Sequence, residues 1–412
     1  MRFSRFGQKM SREAGIISLM DDLGSALREN PDMIFMGGGN PANIPAMVTA
    51  FEASLARIMS DPVEKHRLLG VYQPPAGDGE LLDELAALLN REYGWSISRE
   101  NIALANGSQS AFFVLFNLFA GLDDEGRLRR IQLPLTPEYL GYNEQGIDEA
   151  LFVSSRPHIE LRGEHFFKYH IDFDQLKVHP DAGALCVSRP TNPSGNVLTD
   201  QEIGRLQQLA EERDIPLIID GAYGTPFPDI LFVDAAAHWH ERLIMVLSLS
   251  KLGLPGARTG IVVAAPDIIR AFARANTIVS LAPGNFGAAL MKDLISQQQL
   301  LELSRQEVQP FYRQRMETAV AIFQQALGDL SYRLHQPEGA IFLWLWFPGL
   351  PVSSEELYQR LKQRGVLVVA GHHFFPGLDE PWQHRDECIR ITYCLDIEGL
   401  QKGAEIIADE VG

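Results

Sequence analysis

The chain has 412 residues, of which 46% are hydrophobic and 22% are charged. This is the composition of a globular protein with room for two domains. The formal net charge is −17, and no lysine- or arginine-rich run offsets it. We therefore expect no binding to nucleic acid, or to an anionic membrane through a basic face.

The N-terminus, the longest apolar run and the cysteines argue against secretion, a membrane span and a metal site. The first ten residues contain no apolar core of signal-peptide length, and the apolar run 340–347 is too short to span a membrane. The three cysteines, Cys186, Cys388 and Cys394, are odd in number and lack metal-ligand spacing. They predict reduced thiols in a cytoplasmic protein and no metal site.

Strand and helix patterns alternate through the first two thirds of the chain. Amphipathic or apolar helices are predicted over 11–30, 81–92, 111–119 and 200–213, the last capped near Thr199. Short apolar strands are predicted at 101–105, 131–135, 184–188, 215–219, 243–248 and 261–264. This alternation is typical of a mostly parallel sheet covered by helices.

The remainder of the chain is less regular. Residues 155–180 show no clear period and are predicted to be irregular. A helical stretch over 300–327 contains Pro310, which should kink it or divide it into two helices. Beyond it, a buried strand at 340–347 and a helix over 354–364 predict a C-terminal α+β portion.

Polar residues follow the predicted strands where each one ends. They are Ser108, Tyr139, Asn192, Asp220, Tyr223 and Lys251. In an open α/β sheet these strand ends converge on one ligand-binding edge. A lysine buried at such an edge has a lowered pKa and becomes a nucleophile for a carbonyl group.

Two glycine-containing segments add to this edge. The helix that begins near Ser108 offers free backbone amides to an anion such as phosphate. The run 37–39 is three glycines, which lets the backbone approach a ligand closely. A nucleophilic lysine, an anion site and a buried carboxylate at Asp220 together fit pyridoxal 5'-phosphate (PLP).

The motifs around these residues resemble the class I and II aminotransferases, which are fold-type I PLP-dependent enzymes. They are Asn192-Pro-Ser-Gly195, Asp220-Gly-Ala-Tyr223, Ser248-Leu-Ser-Lys251 and Arg258-Thr-Gly260. The resemblance implies a large domain with a mostly parallel seven-stranded sheet between helices, and a smaller α+β domain. The implied ranges are 47–305 for the large PLP-binding domain, with 1–46 and 306–412 forming the small one.

The resemblance also implies roles for individual residues. Lys251 would form the Schiff base and shuttle the proton at the substrate Cα, and Asp220 would pair with the pyridine nitrogen. Tyr223 and Asn192 would donate to the ring hydroxyl oxygen, and Tyr139 would stack on the ring. The phosphate would be held by Gly107, Ser108, Gln109, Ser248 and Arg258.

Further roles concern the substrate and a second subunit. Gly39, Asn192 and Arg390 would bind the substrate α-carboxylate, which a planar guanidinium can hold through two hydrogen bonds. Tyr72 would reach the phosphate of the neighbouring subunit, which makes the expected active unit a homodimer.

Longer stretches resemble the branch of this family that transfers the amino group of valine to pyruvate, by a ping-pong mechanism that yields alanine and 2-oxoisovalerate. They include 36–42, 106–113, 338–346 and 371–378, although Ala370 and His373 depart from the pattern of that branch. We expect a pocket for a small neutral substrate, lined by Ile16, Ile17 and aromatic residues. Such a pocket separates one methylene by only about 1–3 kcal/mol, so related substrates should overlap.

Other activities are compatible with the same motifs. One is an aminotransferase of different range, for 2-aminobutyrate, aromatic or broadly neutral amino acids. Another is a PLP-dependent C–S lyase. A regulator with a winged-helix DNA-binding domain would need about 60–70 residues before the glycine run, which here begins at Gly37. A scaffold with an inactive site is disfavoured because every residue that the chemistry requires is present.

Overall fold

The computed structural model describes residues 2–12 and 15–412, without the side chains of residues 15, 16, 18 and 19. The helices of this described part are α1 (Arg5–Met10), α2 (Gly15–Glu29), α3 (Pro45–Ser60), α4 (Pro62–Gly70), α5 (Gly79–Tyr93), α6 (Ser108–Phe119), α7 (Asp200–Glu212), α8 (Pro266–Ser280), α9 (Asn285–Ser296), α10 (Leu300–Leu303), α11 (Gln309–Leu327), α12 (Ser354–Gln363) and α13 (Ile397–Val411). Its strands are β1 (Ile34–Phe35), β2 (Ile102–Ala105), β3 (Gly121–Leu122), β4 (Leu128–Leu133), β5 (Phe152–Ser154), β6 (Pro157–Arg162), β7 (Phe166–Ile171), β8 (Ala182–Ser188), β9 (Leu217–Asp220), β10 (Leu243–Ser248), β11 (Gly260–Val263), β12 (Arg333–His335), β13 (Phe342–Trp346), β14 (Val366–Leu367), β15 (Val369–Ala370) and β16 (Cys388–Thr392).

The larger sheet has the order β2-β11-β10-β9-β8-β4-β3, with β5 also paired to β4. Strands β10, β9, β8, β4 and β5 run parallel to one another, whereas β11 is antiparallel to both β10 and β2, and β3 is antiparallel to β4. The expected mostly parallel sheet of seven strands is confirmed, with the two-residue β3 added at one end. Its central strands are apolar throughout because helices cover both faces.

The register of these strands sets the position of the functional edge. Asp220, the last residue of β9, lies opposite Ser188 of β8 and Val246 of β10. On the other side of β10, Ser248 pairs with Gly260. The chain segments that follow β8, β9 and β10 therefore leave the sheet side by side.

A second sheet has the order β15-β16-β13-β12-β7-β6. Within it, β13 and β16 form an antiparallel pair in which Trp344 lies opposite Arg390. Strands β6 and β7 form a hairpin, so the expectation that 155–180 is irregular was wrong over 157–171, whereas 172–180 contains no helix or strand. The alternation of the hairpin is hidden because the charged Lys168 is buried among the aromatic residues of β7, while Leu161 of β6 is exposed.

A π-helical turn interrupts the regular α-helix just before Pro310. Helix α10 continues into this turn, Ser304–Val308, and α11 begins at Gln309. The backbone stays helical from 300 to 327, so the structure shows a π-helical turn where the sequence predicted a kink or a division into two helices. Within the described ranges, no helix is both long and apolar enough to cross a membrane.

Candidate active site

A cavity of about 520 Å³ lies at the carboxyl end of the parallel strands. Helix α2 and the 37–40 segment form its opposite side. Eleven residues predicted from the sequence line it: Gly39, Ser108, Gln109, Tyr139, Asn192, Asp220, Tyr223, Ser248, Lys251, Arg258 and Arg390. The structure therefore brings residues from across the whole chain into one space.

Lys251 projects from the short 3₁₀ turn that follows β10. Its Nζ donates a hydrogen bond to the carbonyl oxygen of Gly39 at 2.5 Å and lies 5.2 Å from the centre of the Tyr223 ring. Burial lowers the pKa of Lys251 to about 8, with a smaller contribution from the positive charge of Arg390. At pH 7 about a tenth of the amine is therefore uncharged and nucleophilic, far more than for an ordinary lysine.

Asp220 ends β9 and presents a carboxylate to the cavity. Its Oδ2 accepts a hydrogen bond from the Tyr142 hydroxyl at 2.7 Å, and its Oδ1 accepts one from the backbone N–H of Ala222 at 2.9 Å. Burial raises the pKa of Asp220, whereas these two hydrogen bonds and the charge on Lys251 lower it. The carboxylate thus has fixed orientation and fits the role of partner to a protonated ring nitrogen.

The beginning of α6 and Arg258 form a cradle for an anion. Gly107 is the N-cap of α6 with φ of 93°, and a Cβ there would lie 2.4 Å from Nη2 of Arg258. A Cβ at Gly260 would lie 2.6 Å from the backbone nitrogen of Ser108. Both glycines allow approaches that a side chain would block. Free amides and a guanidinium at a helix start fit the phosphate group of PLP.

Arg390 lies in β16 and enters the cavity from the second sheet. Its Nη1 donates to Asn192 Oδ1 at 2.7 Å, and its Nη2 donates to the carbonyl oxygen of Gly37 at 2.8 Å. Phe342 lies beneath the guanidinium, 4.2 Å from ring centre to Cζ. Burial lowers the pKa of Arg390 to about 10, so the group stays charged at neutral pH. This geometry suits a carboxylate.

Two kinds of wall surround these polar groups. The Tyr139 ring lies against Gly141, where a Cβ would come within 2.4 Å of it, and meets Tyr142 edge to face at 5.5 Å. The opposite wall is apolar and comes from α2 and β1. Its residues are Met20, Leu23, Leu27 and Phe35.

Two predicted residues, Ile17 and Tyr72, do not line the cavity, and Gly107 adjoins it only as the N-cap of α6. Ile17 lies on α2 about one turn before Met20 and keeps 46% of its surface exposed, so the apolar wall begins one turn later than expected. The side chain of Ile16 lies outside the described residues. Tyr72 is 81% exposed and belongs to a different groove, which also contains Arg67 and Lys292.

Three residues that were not predicted from the sequence support the site. The Tyr142 hydroxyl contacts both Asp220 and Ser188, and the Ser188 hydroxyl contacts the carboxyl group of Glu138. Glu138 is fully buried, and burial raises its pKa to about 8. The available signal was an acidic residue three positions after the apolar strand predicted at 131–135, next to the predicted site residue Tyr139.

Fold and cavity together define a PLP-dependent enzyme of fold type I. The chain belongs to the family of class I and II aminotransferases, whose family model matches residues 147–407. Its sequence is 50% identical, over 100% of this chain and 98% of the relative, to valine–pyruvate aminotransferase of Escherichia coli K12.

Solved structures agree with this assignment. The crystal structure of valine–pyruvate aminotransferase from Salmonella typhimurium LT2 is 49% identical and superposes with a TM-score of 0.89, covering 96% of this chain and 98% of that one. An aspartate aminotransferase variant from Thermus thermophilus, at 22% identity and complete coverage of both chains, gives a TM-score of 0.78. At that identity the likeness concerns the fold alone.

Proposed function

We propose that this aminotransferase transfers the amino group of valine to pyruvate, which yields 2-oxoisovalerate and alanine, and also catalyses the reverse reaction. The names of the relatives from Escherichia coli and Salmonella typhimurium support these substrates. The single observation that favours them is a cavity with an apolar wall on one side and one carboxylate-binding arginine on the other. Both substrate pairs would use this cavity in turn, as a ping-pong mechanism requires.

Different residues of the cavity would bind the cofactor, orient its ring and move the substrate proton. PLP, when bound, withdraws electrons from the substrate Cα and so makes loss of its proton easier. Lys251 would hold the cofactor covalently and, once released as a neutral amine, would move the proton at Cα. The Asp220 carboxylate would hold the proton on the ring nitrogen. Tyr223 and Asn192 would orient the ring, and Tyr139 would stack on it.

Substrate selection follows from where the charges lie. Among the described residues that line the cavity, arginine occurs only at positions 258 and 390. Arg258 is at the phosphate cradle beside Gly107, which leaves Arg390 for a single carboxylate. A second substrate carboxylate would face Met20, Leu23 and Leu27 without a partner, at a large desolvation cost. A small neutral side chain suits this wall.

A homodimer is part of the proposal. Several large apolar side chains near the phosphate cradle are exposed: Leu69, Val71, Tyr72, Ile278, Leu281 and Phe286. Asn285 Nδ2 donates to the Val71 carbonyl oxygen at 2.7 Å, and Gly284 N donates to Asn106 Oδ1 at 2.8 Å. The apolar set thus adjoins the beginning of α6, where a partner would bring its Tyr72 to the phosphate.

The three free cysteines support a reducing, cytoplasmic setting.

The activity is tested by incubating the purified protein with PLP, valine and pyruvate, and measuring alanine and 2-oxoisovalerate. We expect both products in equal amounts, and neither from Lys251→Ala, which should also lose the visible absorbance of the bound cofactor. Replacing valine by aspartate should give little product. Pyruvate released from cystathionine without alanine formation would instead identify a C–S lyase. Faster turnover with 2-aminobutyrate or aromatic amino acids than with valine would identify the other substrate range.

A further inference from the structure

A chain of four oxygen-bearing side chains runs from Asp220 into the protein interior. Tyr142 Oη lies 2.7 Å from Asp220 Oδ2 and 3.3 Å from Ser188 Oγ. Ser188 Oγ in turn lies 2.5 Å from Glu138 Oε2. The second oxygen of Glu138, Oε1, accepts the backbone N–H of Ser188 at 2.8 Å. The series therefore contains three oxygen-to-oxygen contacts.

A continuous series of hydrogen bonds through these three contacts needs three hydrogens. The two hydroxyl groups supply only two, because each has a single O–H donor. The third hydrogen in such a series comes from a carboxyl group, which is either Glu138 or Asp220. If both carboxyl groups were ionised, each hydroxyl would donate to its own carboxylate, and the 3.3 Å contact between Tyr142 and Ser188 would hold no hydrogen.

The surroundings decide which carboxyl group holds the proton. Each carboxyl group accepts a backbone N–H, Asp220 from Ala222 and Glu138 from Ser188, so these bonds do not distinguish them. Asp220 differs in lying close enough to Lys251 for the lysine charge to lower its pKa. Glu138 is fully buried and, in the described part of the chain, has no cation among the groups that act on it. Burying an unpaired carboxylate is more costly than burying the neutral acid.

The neighbouring titratable groups do not change this balance. Tyr142 and Cys186 are buried beside the two carboxyl groups, and burial raises the pKa of each well above its ordinary value. Both stay protonated near neutral pH, so neither can remove the proton from the chain. The pKa of Glu138, raised by burial to about 8, agrees with the geometric argument.

We propose that Glu138 is a protonated positioning residue whose hydrogen starts a one-way series of hydrogen bonds, through Ser188 and Tyr142, that ends on the Asp220 carboxylate. In this arrangement Glu138 donates to Ser188, Ser188 donates to Tyr142, and Tyr142 donates to Asp220. Asp220 then stays ionised and correctly oriented toward the ring nitrogen. The functional meaning of the series rests on the proposed role of Asp220, but the location of the proton does not.

Infrared difference spectroscopy tests the location directly. A protonated carboxyl group has a C=O stretch that an ionised carboxylate lacks. We expect this band near neutral pH in the wild-type protein, with and without PLP, and expect its loss in Glu138→Gln. Retention in Glu138→Gln with loss in Asp220→Asn would place the proton on Asp220 and overturn the proposal. Absence of the band from the wild-type protein would overturn it as well.

Two controls separate this result from other causes. Glu338→Gln removes another buried glutamate, but one that is paired with Lys168, so the band should survive that change. Glu138→Gln keeps the shape and supplies an amide donor to Ser188, so its kcat should stay within about threefold of wild type. Glu138→Ala should lower kcat at least about tenfold, with little change in KM, because no donor then fixes the direction in which the Ser188 and Tyr142 hydroxyl groups point their hydrogens. Equal loss in both variants would contradict the positioning role.

The spectroscopic and functional outcomes are independent of each other. A protein that fails to transaminate valine can still show the Glu138 band. A protein that transaminates valine can still lack it. Failure of the proposed activity and failure of this inference are therefore distinguishable.

Discussion

Lys251 Nζ and the carbonyl oxygen of Gly39 are joined by a hydrogen bond of 2.5 Å. The lysine belongs to the turn after β10, whereas Gly39 follows β1, which pairs with β14 in the C-terminal part of the chain. The amine is therefore held against the segment that is proposed to bind the substrate carboxylate. The hydrogen bond between Lys251 and Gly39 therefore joins the proposed nucleophile to the proposed substrate-binding segment.

The lowered pKa of Lys251 gives a pH dependence for attachment of PLP to the apoenzyme. The neutral amine is the reactive form, and with a pKa of about 8 its fraction rises between pH 7 and pH 9. We expect the second-order rate of attachment to increase about tenfold over this interval and then level off. Stopped-flow absorbance, corrected with N-acetyl-lysine for the titration of PLP itself, measures it. A rate that still climbs steeply above pH 9.5 would indicate an ordinary lysine.

The close approach of Gly107 to Arg258 predicts a defect in cofactor binding. Gly107→Ala would place a methyl group 2.4 Å from Arg258 Nη2 and displace the guanidinium from the phosphate cradle. We expect the Kd for PLP to rise at least about tenfold, since a hydrogen bond to a charged group is worth about 1.5–3 kcal/mol. Equilibrium titration of the apoenzyme by fluorescence provides the measurement.

A matched control separates backbone strain from loss of the cradle. Gly94 also has positive φ, 67°, but a Cβ there would meet nothing within 4 Å. Gly94→Ala should lower the free energy of unfolding by about 1–2 kcal/mol, because alanine is strained in the left-handed conformation. It should leave the PLP affinity unchanged. Similar losses of PLP affinity in both variants would mean that strain alone is responsible.

Much of this site could be predicted because strand ends are visible in a sequence. Asp220 follows the apolar run 215–219 directly and Lys251 lies three residues after the run 243–248, and parallel strands bring such positions to one edge. The β6–β7 hairpin was missed for the opposite reason: burial of Lys168 depends on Glu338, which is 170 residues away. No local pattern encodes such a partner. The hydrogen bonds of Glu138 are likewise tertiary, since Ser188 is 50 residues distant.

Arg390 should bind the carboxylate that all substrates share. Arg390→Lys removes the planar pair of donors, so KM should rise about 10- to 100-fold for valine, alanine and both 2-oxo acids, with a smaller effect on kcat. Steady-state kinetics with each substrate pair measures this. Arg364→Lys, on a surface arginine that pairs with Asp409, is the matched control and should leave KM unchanged. An effect confined to one substrate would argue for a role at the side chain instead.

Tyr72 offers a test of the homodimer through mixed subunits. In a dimer that combines Lys251→Ala in one subunit with Tyr72→Phe in the other, the site that keeps Lys251 receives the wild-type tyrosine only if Tyr72 acts across the interface. Lys251→Ala alone should be inactive, and Tyr72→Phe alone should bind PLP about tenfold more weakly because it loses a hydrogen bond to a charged phosphate. Co-expressed subunits with different affinity tags allow purification of the mixed dimer. We expect its single active site to have wild-type PLP affinity, measured as activity against PLP concentration. If that site instead shows the weakened affinity of Tyr72→Phe, Tyr72 acts within its own subunit, and a chain that elutes as a monomer in gel filtration would contradict the shared site altogether.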